Sequence, residues 1–192
     1  MIKNSFVSAV FLDRDGVINY DSGYLSSLVD IKLNKAMIQF VRYLNENKIP
    51  VFVVTNQSGI SRGYFTEDNL KEINSKISDE YIKNRAHIEK FYYCPHYPTG
   101  KIKKFSKKCN CRKPKPGLLL RAANEYKIDL GKSWIIGDKL SDIEAGIAAG
   151  IPKKNCIQVK SVQESELEND FNLSNYENTL RHLTKKIGLC VE

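Results

Sequence analysis

The chain is predicted to form an α/β fold with a mostly parallel central sheet. Three observations lead there. Strand-sized apolar runs alternate with stretches of helical period along 192 residues, the pattern of strand–helix–strand units. No apolar run approaches the length of a membrane span. Three of the apolar runs close on a polar residue, Asp13, Thr55 or Asp138, and in parallel sheets ligands gather beyond the carboxyl ends of the strands.

The elements follow in order. FVSAVFLD (6–13) reads as a strand, and AMIQFVRYLNEN (36–47) as a helix through the spacing of Met37, Phe40, Val41 and Leu44. Pro50 breaks the pattern before VFVVTN (51–56), a β-rich buried run. Thr66 opens a second helix with Glu67 and Asp68 in its first turn, where the helix dipole favours acids, and it runs toward Asn84. HIEKFYYC (87–94) reads as a third strand. After a Lys- and Cys-rich loop come a helix (117–127), a strand SWIIGD (133–138), a small-residue helix ended by Gly150, and a last strand NCIQVK (155–160). The tail from about 174 to 187 looks helical. No repeat or domain-sized linker interrupts this, so one domain over 1–192 is expected.

Composition is that of a folded protein, with 42% hydrophobic residues. Lys and Arg number 30 against 22 acids, a net charge of +8 that suits anionic partners in general without choosing among them. The N-terminus lacks a secretory pattern, so a cytoplasmic location, no membrane partner and a monomer are the expectations. Five cysteines do not form an even set; three of them, Cys94, Cys109 and Cys111, lie near His96, which favours a metal over a disulfide framework.

Four motifs carry chemistry. In FLDRDGVIN (11–19), Asp13 and Asp15 are two apart, so in extended chain they share one side while Arg14 points away. Two such acids can hold a hard cation or divide nucleophile and general-acid roles. In VVTNQSGISRG (53–63), Thr55 offers a hydroxyl and Asn56 an amide to phosphate oxygens, and Gly59 and Gly63 permit close backbone approach. In CRKPKPG (111–117), Lys113 can neutralise a transferring phosphoryl group, and Arg112 has the planar fork for a second anionic group on the substrate. In IIGDKLSDIEAG (135–146), Asp138 brings another strand-end carboxylate, with Asp142 one turn later placed to orient the metal's ligands. Taken singly, each also reads as an ordinary polar turn.

Together, DRDG, a strand-ending Thr, a motif Lys and GDxxxD resemble the haloacid dehalogenase superfamily of phosphatases, in that family's order. The resemblance implies a Rossmann-like three-layer sandwich. It also implies an aspartyl-phosphate formed on Asp13, with Asp15 as the acid that protonates the leaving oxygen and then activates water. That role suggests a raised carboxyl pKa for Asp15. Thr55 and Lys113 would hold the phosphoryl oxygens. Mg²⁺ would sit on the Asp13 carboxylate, the Asp15 main-chain carbonyl and Asp138.

Cys94-Pro-His96 and Cys109-Asn-Cys111 supply three thiolates and an imidazole, the donor set of a closed structural Zn²⁺ site in a loop of about 94–111. A Cys-x-Cys disulfide would be strained. The zinc would pin the loop that delivers Arg112 and Lys113. The lysines between the ligand pairs, Lys101, Lys103, Lys104, Lys107 and Lys108, read as a solvated face. Neither 16–54 nor 56–112 has room for a full cap domain, so the site should be open.

CPHYPTG…CNCRKPKPG together with TNQSGISRG resembles the D-glycero-D-manno-heptose 1,7-bisphosphate phosphatases, over about residues 7–160. Members remove the C7 phosphate on the route to ADP- or GDP-heptose for cell-surface polysaccharide. The resemblance implies substrate contacts at Asp21, Ser22, Gly23 and Tyr24, at Thr55, Asn56, Gln57 and Ser58, and at Arg112 and Lys113. It makes a phosphorylated sugar the partner and disfavours nucleic acid. Three alternatives stay open. Histidinol-phosphate phosphatases share the zinc loop but are expected to carry Gln-Asp-Gly where this chain has Gln57-Ser58-Gly59. Polynucleotide 3′-phosphatases share a TNQxGIxRG-like segment but not the zinc loop. A non-enzymatic zinc-loop module that binds nucleic acid leaves Asp13, Asp15 and Asp138 unexplained.

Overall fold

The computed structural model describes residues 7–21 and 23–161, with residues 181, 184, 185 and 187 of the tail. Five strands form one all-parallel sheet: β1 (Val10–Leu12), β2 (Val51–Asn56), β3 (Lys90–Cys94), β4 (Trp134–Gly137) and β5 (Cys156–Gln158). Their order is β3-β2-β1-β4-β5. The chain builds outward from β1 in one direction, then returns to β1's other side. The order therefore reverses beside β1, and the crevice at its carboxyl end is where such a sheet takes its ligand.

Period-two alternation sends the two faces of each strand into separate cores. Val10, Leu12, Val51, Val53 and Ile136 pack on one face against α1 (Lys35–Glu46) and α3 (Glu67–Lys83), through Val41, Leu44, Ile73 and Ile77. Phe11, Phe52, Val54 and Ile135 face the other way, onto Leu118, Leu119 and Ala122 of α4 (Gly117–Tyr126) and Ala145 of α5 (Leu140–Ala149). A short α2 (Gly59–Arg62) follows β2 directly. The three-layer α/β/α expectation is met.

The helix boundaries follow the predicted signals. Asn34 accepts from the Met37 amide at the start of α1. Thr66 and Asn69 form a reciprocal capping box on α3. Gly150 ends α5 in the left-handed conformation. β1 is shorter than its apolar run: before Val10, Val7 pairs with Ile128 in an isolated bridge instead of a sheet neighbour. Between β1 and α1 the chain makes an Asn19–Leu33 bridge and a 3-10 turn, Leu28–Asp30, but no inserted domain among the described residues. The expected tail helix over 174–187 lies outside the described residues, save for isolated positions that include the buried Thr184 and Ile187.

Candidate active site

Asp13 leaves β1 at the sheet's centre and is buried. Its Oδ1 accepts from the Arg14 amide at 2.7 Å and lies 2.9 Å from Lys113 Nζ. Lys113 arrives at the end of the Cys-rich loop. Its Nζ also reaches Asp142 Oδ1 at 2.6 Å and donates to the Val54 carbonyl at 2.6 Å, so one buried ammonium ties two carboxylates to the end of β2. Asn56 fixes this lysine from below: its side-chain amide donates to the Lys113 carbonyl and accepts from the Lys113 amide, both at 3.0 Å. Asn56 is thus spent on the chain itself, where the sequence suggested an amide offered to phosphate.

Asp15 departs from the sequence expectation. At Arg14 the strand gives way to a tight turn: the Arg14 carbonyl accepts from the amides of Val17, Ile18 and Asn19, and Gly16 takes φ +84°. Strand alternation no longer applies there. Arg14 is fully buried and turns its fork onto Asp15, with Nε and Nη2 each donating at 3.0 Å, and reaches Asn74 on α3 at 3.5 Å. Asn19 Nδ2 adds a bond to Asp15 Oδ1 at 3.0 Å, and Gln57 Nε2 one to Oδ2 at 2.8 Å. Burial works against the Asp15 carboxylate, but Arg14, Asn19 and Gln57 outweigh it and hold the group below its usual range. The raised pKa suggested by its expected role is absent from this state. The raised one belongs to Asp13: burial pushes it up to about 6, Lys113 opposes the rise, and Asp142 and Asp15 add to it.

Asp138 leaves β4 beside Asp13. Oxygens of Asp13, Asp138 and Asp142 all lie within 4.8 Å of one another. The Asp138 side chain is buried, and its Oδ1 has no hydrogen-bond partner. A buried carboxylate oxygen left bare next to two further acids fits a hard divalent cation. Gly16 and Gly137 make the approach possible: a Cβ on Gly16 would collide with the Asp138 carboxylate, and one on Gly137 with the Asp142 side chain. Lys139, which stands between Asp138 and Asp142 in the last motif, bridges Asp138 (3.8 Å) and Asp21 (3.2 Å) at the rim. Asp21 also accepts from the Gly23 amide, and Tyr24 packs edge-on against Tyr64 at 4.6 Å. Ser22 lies outside the described residues. Ser58 opens α2 and accepts from the Arg62 amide at 3.0 Å.

The four predicted metal ligands of the loop converge. Sγ–Sγ distances among Cys94, Cys109 and Cys111 are 3.2–3.5 Å, and His96 Nδ1 lies 3.6 Å from Cys94 and 3.3 Å from Cys111. Those spacings are far too long for a disulfide. They approach the edge of about 3.8 Å that a tetrahedron with 2.3 Å metal–sulfur bonds requires. Cys94 and Cys111 compete for one proton: hydrogen bonding between them holds the Cys111 thiol low, at about 5, and the Cys94 thiol high. The loop is fastened to the catalytic edge, since Gln57 donates its amide to the Cys94 carbonyl and Ile102 donates to Ser61 on α2. Lys101, Lys103, Lys104, Lys107 and Lys108 are all exposed, as a solvated face should be. Cys156 is half-buried and its thiol is pushed up by burial; Cys190 lies outside the described residues.

A HAD-hydrolase-like family model matches residues 110–166. The chain is 38% identical over 183 residues to D-glycero-beta-D-manno-heptose-1,7-bisphosphate 7-phosphatase of Yersinia pestis, covering 94% of this chain and 95% of that one. It is 36% identical over 160 residues to the D-glycero-alpha-D-manno-heptose-1,7-bisphosphate 7-phosphatase of Photorhabdus laumondii subsp. laumondii, covering 83% and 86%. Among solved structures, D,D-heptose 1,7-bisphosphate phosphatase from B. bronchiseptica, complexed with magnesium and phosphate, superposes with a TM-score of 0.76 at 25% identity, over 94% of this chain and 99% of that one.

Proposed function

This chain belongs to the D-glycero-D-manno-heptose-1,7-bisphosphate 7-phosphatases, HAD-like hydrolases of phosphate monoesters, and we propose that it removes the C7 phosphate of that sugar with Asp13 as nucleophile. The observation that carries the assignment is the Asp13–Lys113–Asp142 cluster at the end of the central strand, beside the bare oxygen of Asp138.

The residues divide the work as follows. An Asp13 oxygen attacks phosphorus, and the bond to the C7 oxygen breaks. Asp15 gives that departing oxygen its proton. In the second step Asp15 takes a proton from water, whose oxygen attacks the phosphoryl group on Asp13 and releases inorganic phosphate. Asp15 must slip from its Arg14 fork to carry a proton, because four donors hold it ionised at rest. Thr55 and Lys113 hold the phosphoryl oxygens, while Asn56 and Gln57 keep those two residues in place. Asp13, Asp138 and the Asp15 main-chain carbonyl would hold Mg²⁺, the ion present in the B. bronchiseptica structure. Bound there, the ion offsets repulsion between a carboxylate and a phosphate dianion. Cys94, His96, Cys109 and Cys111 would hold Zn²⁺ and brace the loop carrying Arg112, which grips the second phosphate. Among the described residues, no helix is long and apolar enough to cross a membrane.

A substrate panel with matched magnesium tests the reading: heptose 1,7-bisphosphate, histidinol phosphate and a 3′-phosphorylated oligonucleotide. The bisphosphate is expected to show the highest kcat/KM. Preference for either of the others overturns the substrate while leaving the Asp13 chemistry, and no turnover of any removes both.

A further inference from the structure

Two guanidinium groups share the ring of Tyr97. The Arg62 carbon lies 4.0 Å from the ring centroid and the Arg112 carbon 5.2 Å, so the two cations are no farther apart than the sum of those distances. Cation–ring contact lowers the energy of each without neutralising either. Among the described residues, no carboxylate lies within ion-pair distance of Arg62 or Arg112. Arg62 Nε is buried with no hydrogen-bond partner, and Arg112 reaches only the His96 carbonyl, at 3.5 Å. The buried cations of this chain have acids, Arg14 with Asp15 and Lys113 with Asp13 and Asp142, whereas Arg62 and Arg112 are half-buried and have none among the described residues. A like-charged pair gathered without a counter-ion is complementary to an anion that arrives from outside.

The backbone keeps the two arginines together. Arg62 closes α2, which begins just past Thr55, Asn56 and Gln57. Arg112 precedes Lys113 by one residue. Ser61 Oγ donates to the Tyr97 carbonyl at 3.3 Å, and Ile102 donates to the Ser61 carbonyl at 2.9 Å, so α2 and the Cys-rich loop meet at Tyr97.

We propose that Arg62 is a second specificity residue: with Arg112, across the Tyr97 ring, it clamps the substrate phosphate that does not react at Asp13. This rests on the bisphosphate reading above. The clamp adds binding for substrates with two phosphates and none for simple monoesters. It also gives the Cys-rich loop a part in substrate choice, since Tyr97 belongs to that loop.

The test compares kcat/KM for heptose 1,7-bisphosphate with that for p-nitrophenyl phosphate, which carries one phosphate, in the intact magnesium-supplied protein. In Arg62→Met the ratio is expected to fall roughly tenfold or more through KM, the scale of a lost charge-assisted bond. Equal losses on both substrates would reveal a merely structural arginine and overturn the proposal, as would an unchanged ratio. If the Met variant does not fold, Arg62→Lys decides, because it keeps the charge without the fork: a fall of roughly threefold supports the clamp and an unchanged ratio overturns it. Inhibition of p-nitrophenyl phosphate hydrolysis by hexane-1,6-bisphosphonate provides a readout independent of the sugar. Should the wild type show no preference for heptose bisphosphate, the substrate reading fails alone. Weaker inhibition of Arg62→Met than of wild type then still supports the clamp, and equal inhibition overturns it.

Discussion

Gln57 donates to Asp15 Oδ2 at 2.8 Å and, from the same amide nitrogen, to Thr55 Oγ1 at 2.9 Å. Both amide hydrogens are used, and the Thr55 oxygen is an acceptor in this pair. The Thr55 hydroxyl hydrogen is therefore free to donate to a phosphoryl oxygen. Gln57→Leu should lower kcat roughly tenfold to a hundredfold with a smaller change in KM, as loss of an oriented acid and donor predicts. Steady-state kinetics on heptose 1,7-bisphosphate provides the check, and an unaltered kcat would count against the positioning role.

Asp13→Asn should abolish turnover while the protein still folds. Since burial raises the Asp13 pKa from 3.8 to about 6, the folded metal-free protein keeps this proton between those values and the unfolded chain does not. This group's contribution to stability therefore falls as pH rises from 3.8 through about 6. Magnesium must displace the same proton, so its affinity should drop about tenfold per pH unit below about 6 and level off above. Calorimetric titration on the acid and neutral sides of that value measures it, and a flat profile would refute the link.

Lys113→Met should cost roughly 3–5 kcal/mol of stability in the metal-free protein, the penalty for stranding buried carboxylates. Urea unfolding of variant and wild type reads this directly. A variant as stable as wild type would mean that the charges of Asp13 and Asp142 are compensated by something other than this ammonium.

About one zinc per chain is expected on elemental analysis. Cys109→Ser should lose most of it, lower the melting temperature, and raise KM for the bisphosphate more than it lowers kcat, because Arg112 follows the ligand Cys111. A metal-free protein of normal stability would exclude the site.

The sequence made the sheet legible because its strands are buried on both faces and end in polar residues. Asp13, Thr55 and Asp138 could be placed together from that alone, and the metal-ligand spacing located the Cys-rich cluster. What stayed hidden depends on contacts between distant segments. Strand alternation points Arg14 away from Asp15, yet the turn at Gly16 folds it onto that acid. Gln57 and Asn56 looked like ligand contacts, and only the structure shows their amides bound to Asp15, Thr55 and the Lys113 backbone. Lys139 and Arg62 carried no signal beyond being basic residues near motifs. Their meaning comes from Asp21 and Tyr97, far away in sequence.

The central place of β1 also sets the order in which this enzyme should fail on warming. β1 is bonded on both sides, so Asp13 shifts only when the middle of the sheet parts. Arg62 rides on a single helical turn outside the sheet, a segment that opens at lower energy, whereas Arg112 is held beside the buried Lys113. Heat should thus make the enzyme indiscriminate before it makes it idle: monoester hydrolysis outlasts selection between one phosphate and two.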